Sequence, residues 1–114
     1  MRLLWSGLLL RANAALAAAP TKLRFNFTRT LFDTSDIQLA EIVFFDPNGH
    51  LVRAVNATNH GGSKADTANQ GALWLIDGSL ASKWYDGNFG SAGSSSVVEL
   101  TLPADVEAIA SYQL

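Results

Sequence analysis

The stretch Leu23-Arg24-Phe25-Asn26-Phe27-Thr28 places an apolar side chain at every second position. A period of two marks a strand with one face in a core and the other in water. Val98, Leu100 and Leu102 repeat it in "SSVVELTL", residues 95–102. "IQLAEIVFFD", residues 37–46, is dense in β-branched and aromatic residues. Its alternation breaks at Ala40-Glu41, which predicts a bulge or a strand buried on both faces. Asp46-Pro47-Asn48-Gly49 predicts a hairpin turn, with Pro47 setting the first corner and Gly49 supplying a left-handed residue. His50–Val55 is then the returning strand. Residues 56–72, "NATNHGGSKADTANQGA", read as a long polar loop, and a loop of that length is functional or pinned by other groups. Leu73–Ile76 is expected to form one helical turn, and "AIASYQL", residues 108–114, a last strand. Short strands, turn signals and almost no helical periodicity predict an all-β chain, an antiparallel β-sandwich or jelly roll. The sequence stops inside a strand-like run, so the sandwich is expected to be thin, incomplete and exposed at its edges.

Length bounds the chain to one domain, since 114 residues supply one core and not two. An apolar fraction of 48% is above what a disordered chain carries. From Pro20 onward there are six basic and ten acidic residues, a balance of −4, and no basic run. That distribution lacks the footprint of a nucleic-acid binder. Cysteine is absent, which excludes a disulfide frame, a thiolate nucleophile and Cys-ligated zinc.

Residues 1–19 read as a targeting segment. Arg2 is a positive start, "LLWSGLLL" an apolar run, and Ala15-Leu16-Ala17 a small-x-small cleavage site. This predicts a secreted or cell-surface protein. Arg11 interrupts the apolar run and no acid precedes Asp33, so an organelle transit peptide stays open. An ordinary N-terminal helix is the third reading. The run is too short and too interrupted to span a bilayer alone.

Four blocks, "IQLAEIVFFDPNGHLV", "ATNHGGS", "LIDGSLASKW" and "SSSVVELTLPADVEAIASYQL", together resemble the galactose-binding-domain-like superfamily. This is the discoidin or coagulation-factor type C fold, shared with many carbohydrate-binding modules. The resemblance spans about residues 22–114, and it rests on the order and spacing of the blocks. It implies a sandwich domain over residues 20–114 whose family continues for several strands past "SYQL", so the chain is expected to be a fragment. It implies that Asp77, and Ser82 where the family often has Thr, help to hold a structural calcium ion, with backbone carbonyls adding to the six to eight oxygens calcium takes. The competing reading is local: Asp77 caps its own turn, as Asp before Gly often does. Trp84 is implied to be a core residue, whereas Trp74 is open to either packing or sugar stacking.

Sandwich folds recognise ligands through loops. The candidates are Asn59 and His60 in "TNHGGS", and Tyr85, Asp86, Asn88 and Phe89 in "WYDGNFGSAGSSS". An aromatic face suits the C–H side of a sugar, and Asn, Asp and His suit its hydroxyls. The competing reading is a solvated turn with Tyr85 half-buried. Catalytic patterns are missing: His50 and His60 sit in no Ser or Asp motif, and Asp77 with Asp86 is a weak glycosidase pair. Gly61-Gly62-Ser63-Lys64 lacks the leading glycine of a phosphate loop. Asn26 and Asn56 each begin an Asn-x-Thr sequon, which matters only in a secreted eukaryotic chain. The expected function is non-catalytic binding of a glycan or polysaccharide. The rival is a structural or protein-interaction domain of a larger protein. A membrane-lipid partner ranks third, because Phe89 stands alone among Gly and Ser.

Overall fold

The computed structural model describes residues 22–91 and 93–114. The targeting segment expected at residues 1–19 lies outside them. The described chain is all-β, with eight short strands and one 3₁₀ helix, Ala72–Ile76. The strands form three small antiparallel sheets.

The first sheet contains β1 (Lys22–Phe27), β7 (Ser96–Thr101) and β5 (Asn56–Thr58), with β7 in the middle. The two alternating stretches thus lie side by side, Phe25 opposite Val98 and Leu23 opposite Leu100. Leu23, Phe25 and Phe27 all point into the core. The second sheet pairs β2 (Ile37–Leu39) with β6 (Trp84–Asp86), and the third has the order β4 (Leu51–Val52), β3 (Val43–Phe45), β8 (Ser111–Gln113). Phe25 meets Tyr112 edge-on at 5.1 Å and Phe44 at 6.1 Å, while Phe27 lies 5.7 Å from Trp84. Side chains of the first sheet therefore touch both other sheets across one core. Aromatic pairs at these separations add about 0.5–1.5 kcal/mol each beyond burial.

The hairpin turn forms as its residues demand. Gly49 N–H donates to Asp46 O at 3.0 Å, and Gly49 has φ +82°. Trp84 is a core residue, and the helical turn expected at Leu73–Ile76 is the 3₁₀ helix.

Two expectations change. "IQLAEIVFFD" is not one bulged strand. It splits into β2 and β3, which belong to different sheets, and Ala40–Ile42 carries the chain between them. Ile42 N–H donates to Leu75 O at 3.0 Å, which fixes that crossing to the 3₁₀ helix. The returning strand also ends early, at Val52, and the chain crosses back to pair β5 with β7. Val55 N–H donates to Thr101 O at 2.8 Å and Ala57 is buried, so part of the polar loop is a strand.

Candidate functional site

The polar loop after β5 is pinned from within. Asn59 is 6% exposed and uses its whole side chain. Its Nδ2 donates to Val97 O at 2.9 Å, and its Oδ1 accepts from Trp84 Nε1 at 3.2 Å. The Asn59 N–H donates to Asp66 Oδ1 at 2.8 Å. Gly62 closes against the same residue, its N–H on Asn59 O at 3.1 Å. A Cβ at Gly62 would lie 1.9 Å from Asn59 Oδ1, so only glycine lets the loop approach this closely. Gly71 is equally constrained, since a Cβ there would meet Ala65 O at 2.1 Å.

Asp86 joins this loop to the next one. It is 2% exposed, and both carboxylate oxygens accept hydrogen bonds. Oδ1 takes Ser63 N–H at 3.1 Å and Asn88 N–H at 2.9 Å, and Oδ2 takes Ser96 Oγ–H at 2.6 Å. Gly87 N–H donates to Ser63 Oγ at 2.7 Å, and Asn88 Nδ2 donates to Gly61 O at 3.1 Å. Residues 59–64 and 86–91 thus form one braced pair of loops around a buried carboxylate. A carboxylate satisfied by several donors tolerates burial that a lone charge does not.

The six ligand candidates divide accordingly. Asn59, Asp86 and Phe89 are buried and build the loop pair. His60 is exposed and Asn88 half-buried on the loops; Tyr85, also half-buried, and Asp86 lie on β6 rather than in the loop expected for them, because they pair with Gln38 and Ile37 of β2. Lys64 Nζ lies 5.9 Å from the centre of the Tyr85 ring, a cation–π contact. Phe89 offers no stacking face, being 1% exposed. Gly90 N–H donates to Ser35 O at 2.9 Å, which draws this loop against the β1–β2 connection and turns Phe89 inward.

The Asp77–Ser82 turn stands apart from the loop pair. Asp77 Oδ1 accepts from Ser79 N–H at 2.9 Å, and Asp77 Oδ2 accepts from the Ser82 hydroxyl. Ser79 Oγ accepts from Ala81 N–H at 3.1 Å. The two side chains expected at calcium thus bond each other, and the carboxylate closes its own turn. Gly78, with φ +78°, makes the corner. Trp74 is half-buried.

Sequence reasoning missed the ion pair between Glu41 and Arg53. Arg53 Nη1 donates to Glu41 Oε2 at 3.1 Å, while Glu41 Oε1 is buried without a hydrogen-bond partner among the described residues. Burial pushes the Glu41 carboxyl above its ordinary pKa. The Arg53 charge and hydrogen bond oppose that shift, and the Asp77 charge adds to it. A break in alternation at a glutamate was the only local signal. Compared with protein-family models, with curated proteins and with solved structures, the chain has no match in any of the three.

Proposed function

We propose that the chain is a non-catalytic glycan-binding module on a discoidin-like β-sandwich, working outside the cell or at its surface. The observation that carries this reading is the braced loop pair. Buried Asn59 and Asp86 fix two loops that carry His60 and Asn88 on their outside, next to Tyr85 on β6. An aromatic ring, an imidazole and an amide are the group types that suit the C–H and O–H surfaces of a sugar. Rigid loops lower the entropy lost on binding.

A glycan array probed with the folded chain tests it. Binding is expected, and Tyr85→Ala or His60→Ala should weaken it about tenfold, the effect of losing one good contact. No binding at millimolar sugar by a chain verified as folded would sink the reading. The rival, a protein-interaction domain, is favoured by the exposed apolar side chains of Leu31, Phe32 and Leu80. Leu31 and Phe32 line one groove together with Ile37 and Leu39, and it is contiguous apolar surface that marks contact sites.

In this reading the Asp77 turn is structural and needs no ion. Asp77→Ala should cost about 1 kcal/mol, the value of a local side-chain cap. Adding calcium or a chelator should leave the melting temperature unchanged. A melt that rises with calcium and loses that rise in Asp77→Ala would instead make Asp77 and Ser82 calcium ligands.

A further inference from the structure

A cleft of about 510 Å³ opens between the β3–β4 turn and the segment Pro103–Ala108, and no residue of the braced loop pair lines it. Its first wall is rigid. Asp46 Oδ1 accepts from Asn48 N–H at 2.9 Å and from His50 N–H at 2.8 Å, and His50 Nδ1 lies 3.3 Å from Asp46 Oδ2. Those donors, the His50 amide foremost, hold the Asp46 carboxyl below its ordinary range, so it stays an acceptor. Oδ1 has two donors already, whereas Oδ2 keeps room for another. The second wall is stiffened by Pro103, whose carbonyl accepts from Val106 N–H at 3.3 Å, and by Val106 packed on the core. Asp105 and Glu107 line that wall and have no hydrogen-bond or ion-pair partner among the described residues. Leu51 and Val52 add aliphatic surface, and Arg53 and the Asn48 amide add donors.

We infer that this cleft is a second ligand site, and that it takes a neutral or amine-bearing saccharide. Both acceptors (Asp46, Asp105, Glu107) and donors (Arg53, Asn48) line it, the groups that hydroxyls need. Its aliphatic parts suit the C–H face of a ring. Its volume falls in the roughly 300–1,000 Å³ range of small-molecule sites. The charge balance sets the preference: Arg53 is paired with Glu41, and the carboxylates of Asp46, Asp105 and Glu107 line the cleft with no lysine or second arginine among its described lining residues. An anionic sugar would be repelled and an amino sugar favoured. The inference shares its ligand class with the proposal above but none of its residues, so the two fail separately.

Amide chemical-shift mapping on the ¹⁵N-labelled full chain tests it, with glucosamine, N-acetylglucosamine and glucuronate as probes. Glucosamine should shift Asn48, His50, Val106 and Ala108 at lower concentration than N-acetylglucosamine, and glucuronate should leave them in place. Glu107→Ala removes only an exposed side chain, and should weaken the glucosamine response about tenfold. Shifts confined to His60, Tyr85 and Asn88 would overturn the cleft site and keep the glycan-binding reading. No shift in the cleft with any of the three sugars would overturn it outright, as would a stronger response to glucuronate than to glucosamine.

Discussion

Asp86→Ala is expected to lower the melting temperature by about 12 °C, corresponding to about 3 kcal/mol in a domain of this size. The side chain accepts two backbone N–H groups and one hydroxyl in a site that is 2% exposed. Alanine removes every acceptor and leaves the Ser63 and Asn88 amides and the Ser96 hydroxyl to water or to nothing. It also leaves a void beside Ser96, which is itself buried. Asp86→Asn is the discriminating control. Its amide oxygen still accepts from the two N–H groups, and Ser96 Oγ can turn to accept from the amide, so about 1 kcal/mol should be lost. Thermal unfolding by circular dichroism gives both values. Amide exchange should speed up in residues 59–64 and 87–91 before it does in β1 and β7. Equal, small losses in both variants would show that Asp86 does not brace the loops.

What the sequence made legible was whatever is decided locally. The alternation at Leu23–Thr28 and Val98–Leu102 located β1 and β7, because a strand half in water writes its burial into every second residue. Asp-Pro-Asn-Gly located the turn, because each residue there sets its own backbone angle. The break at Ala40-Glu41 was visible, but its meaning was not. It marks a change of sheet, and the groups that enforce it, Arg53 and Leu75, lie far along the chain. β5 was invisible because Asn56-Ala57-Thr58 has no strong apolar residue, and becomes a strand by pairing with β7.

The site shows the same division. Residue types placed Asn59, His60, Tyr85, Asp86 and Asn88 in polar loops; the structure keeps Asn59, His60 and Asn88 there but puts Tyr85 and Asp86 on β6, paired with β2. Which of them are buried depended on donors from Ser63, Trp84 and Ser96 and on the Val97 carbonyl as acceptor, and no spacing rule reports that convergence. Phe89 among Gly and Ser looked like an exposed ring. The small residues act instead by letting the loop close, with Gly90 tight against Ser35.

Arg53→Ala is expected to destabilise the chain by about 2 kcal/mol at neutral pH, and Glu41→Gln by less than about 1 kcal/mol. The asymmetry follows from burial. Glu41 is 8% exposed, whereas the Arg53 side chain is 43% exposed. Removing the arginine leaves a buried carboxylate without its counter-charge. Removing the charge on Glu41 leaves a guanidinium that water can solvate, and Gln keeps an acceptor for Arg53 Nη1. Dependence on pH separates this account from a generic loss of packing. Burial raises the Glu41 pKa in the folded chain above its ordinary 4.5, with Arg53 opposing the rise. A raised folded pKa means that this group's contribution is fully present below about pH 4.5 and is lost as pH climbs through the folded value. Without Arg53 the folded pKa moves higher still, so the loss extends further toward neutrality. The gap between Arg53→Ala and the unmutated chain should therefore widen from about pH 4.5 to 7, while Glu41→Gln abolishes this component. Urea unfolding across that range measures all three. Gaps that stay constant with pH would mean that Arg53 matters through its aliphatic stem alone. Gaps that widen would identify the Glu41–Arg53 pair as what holds the crossing between β2 and β3 in place.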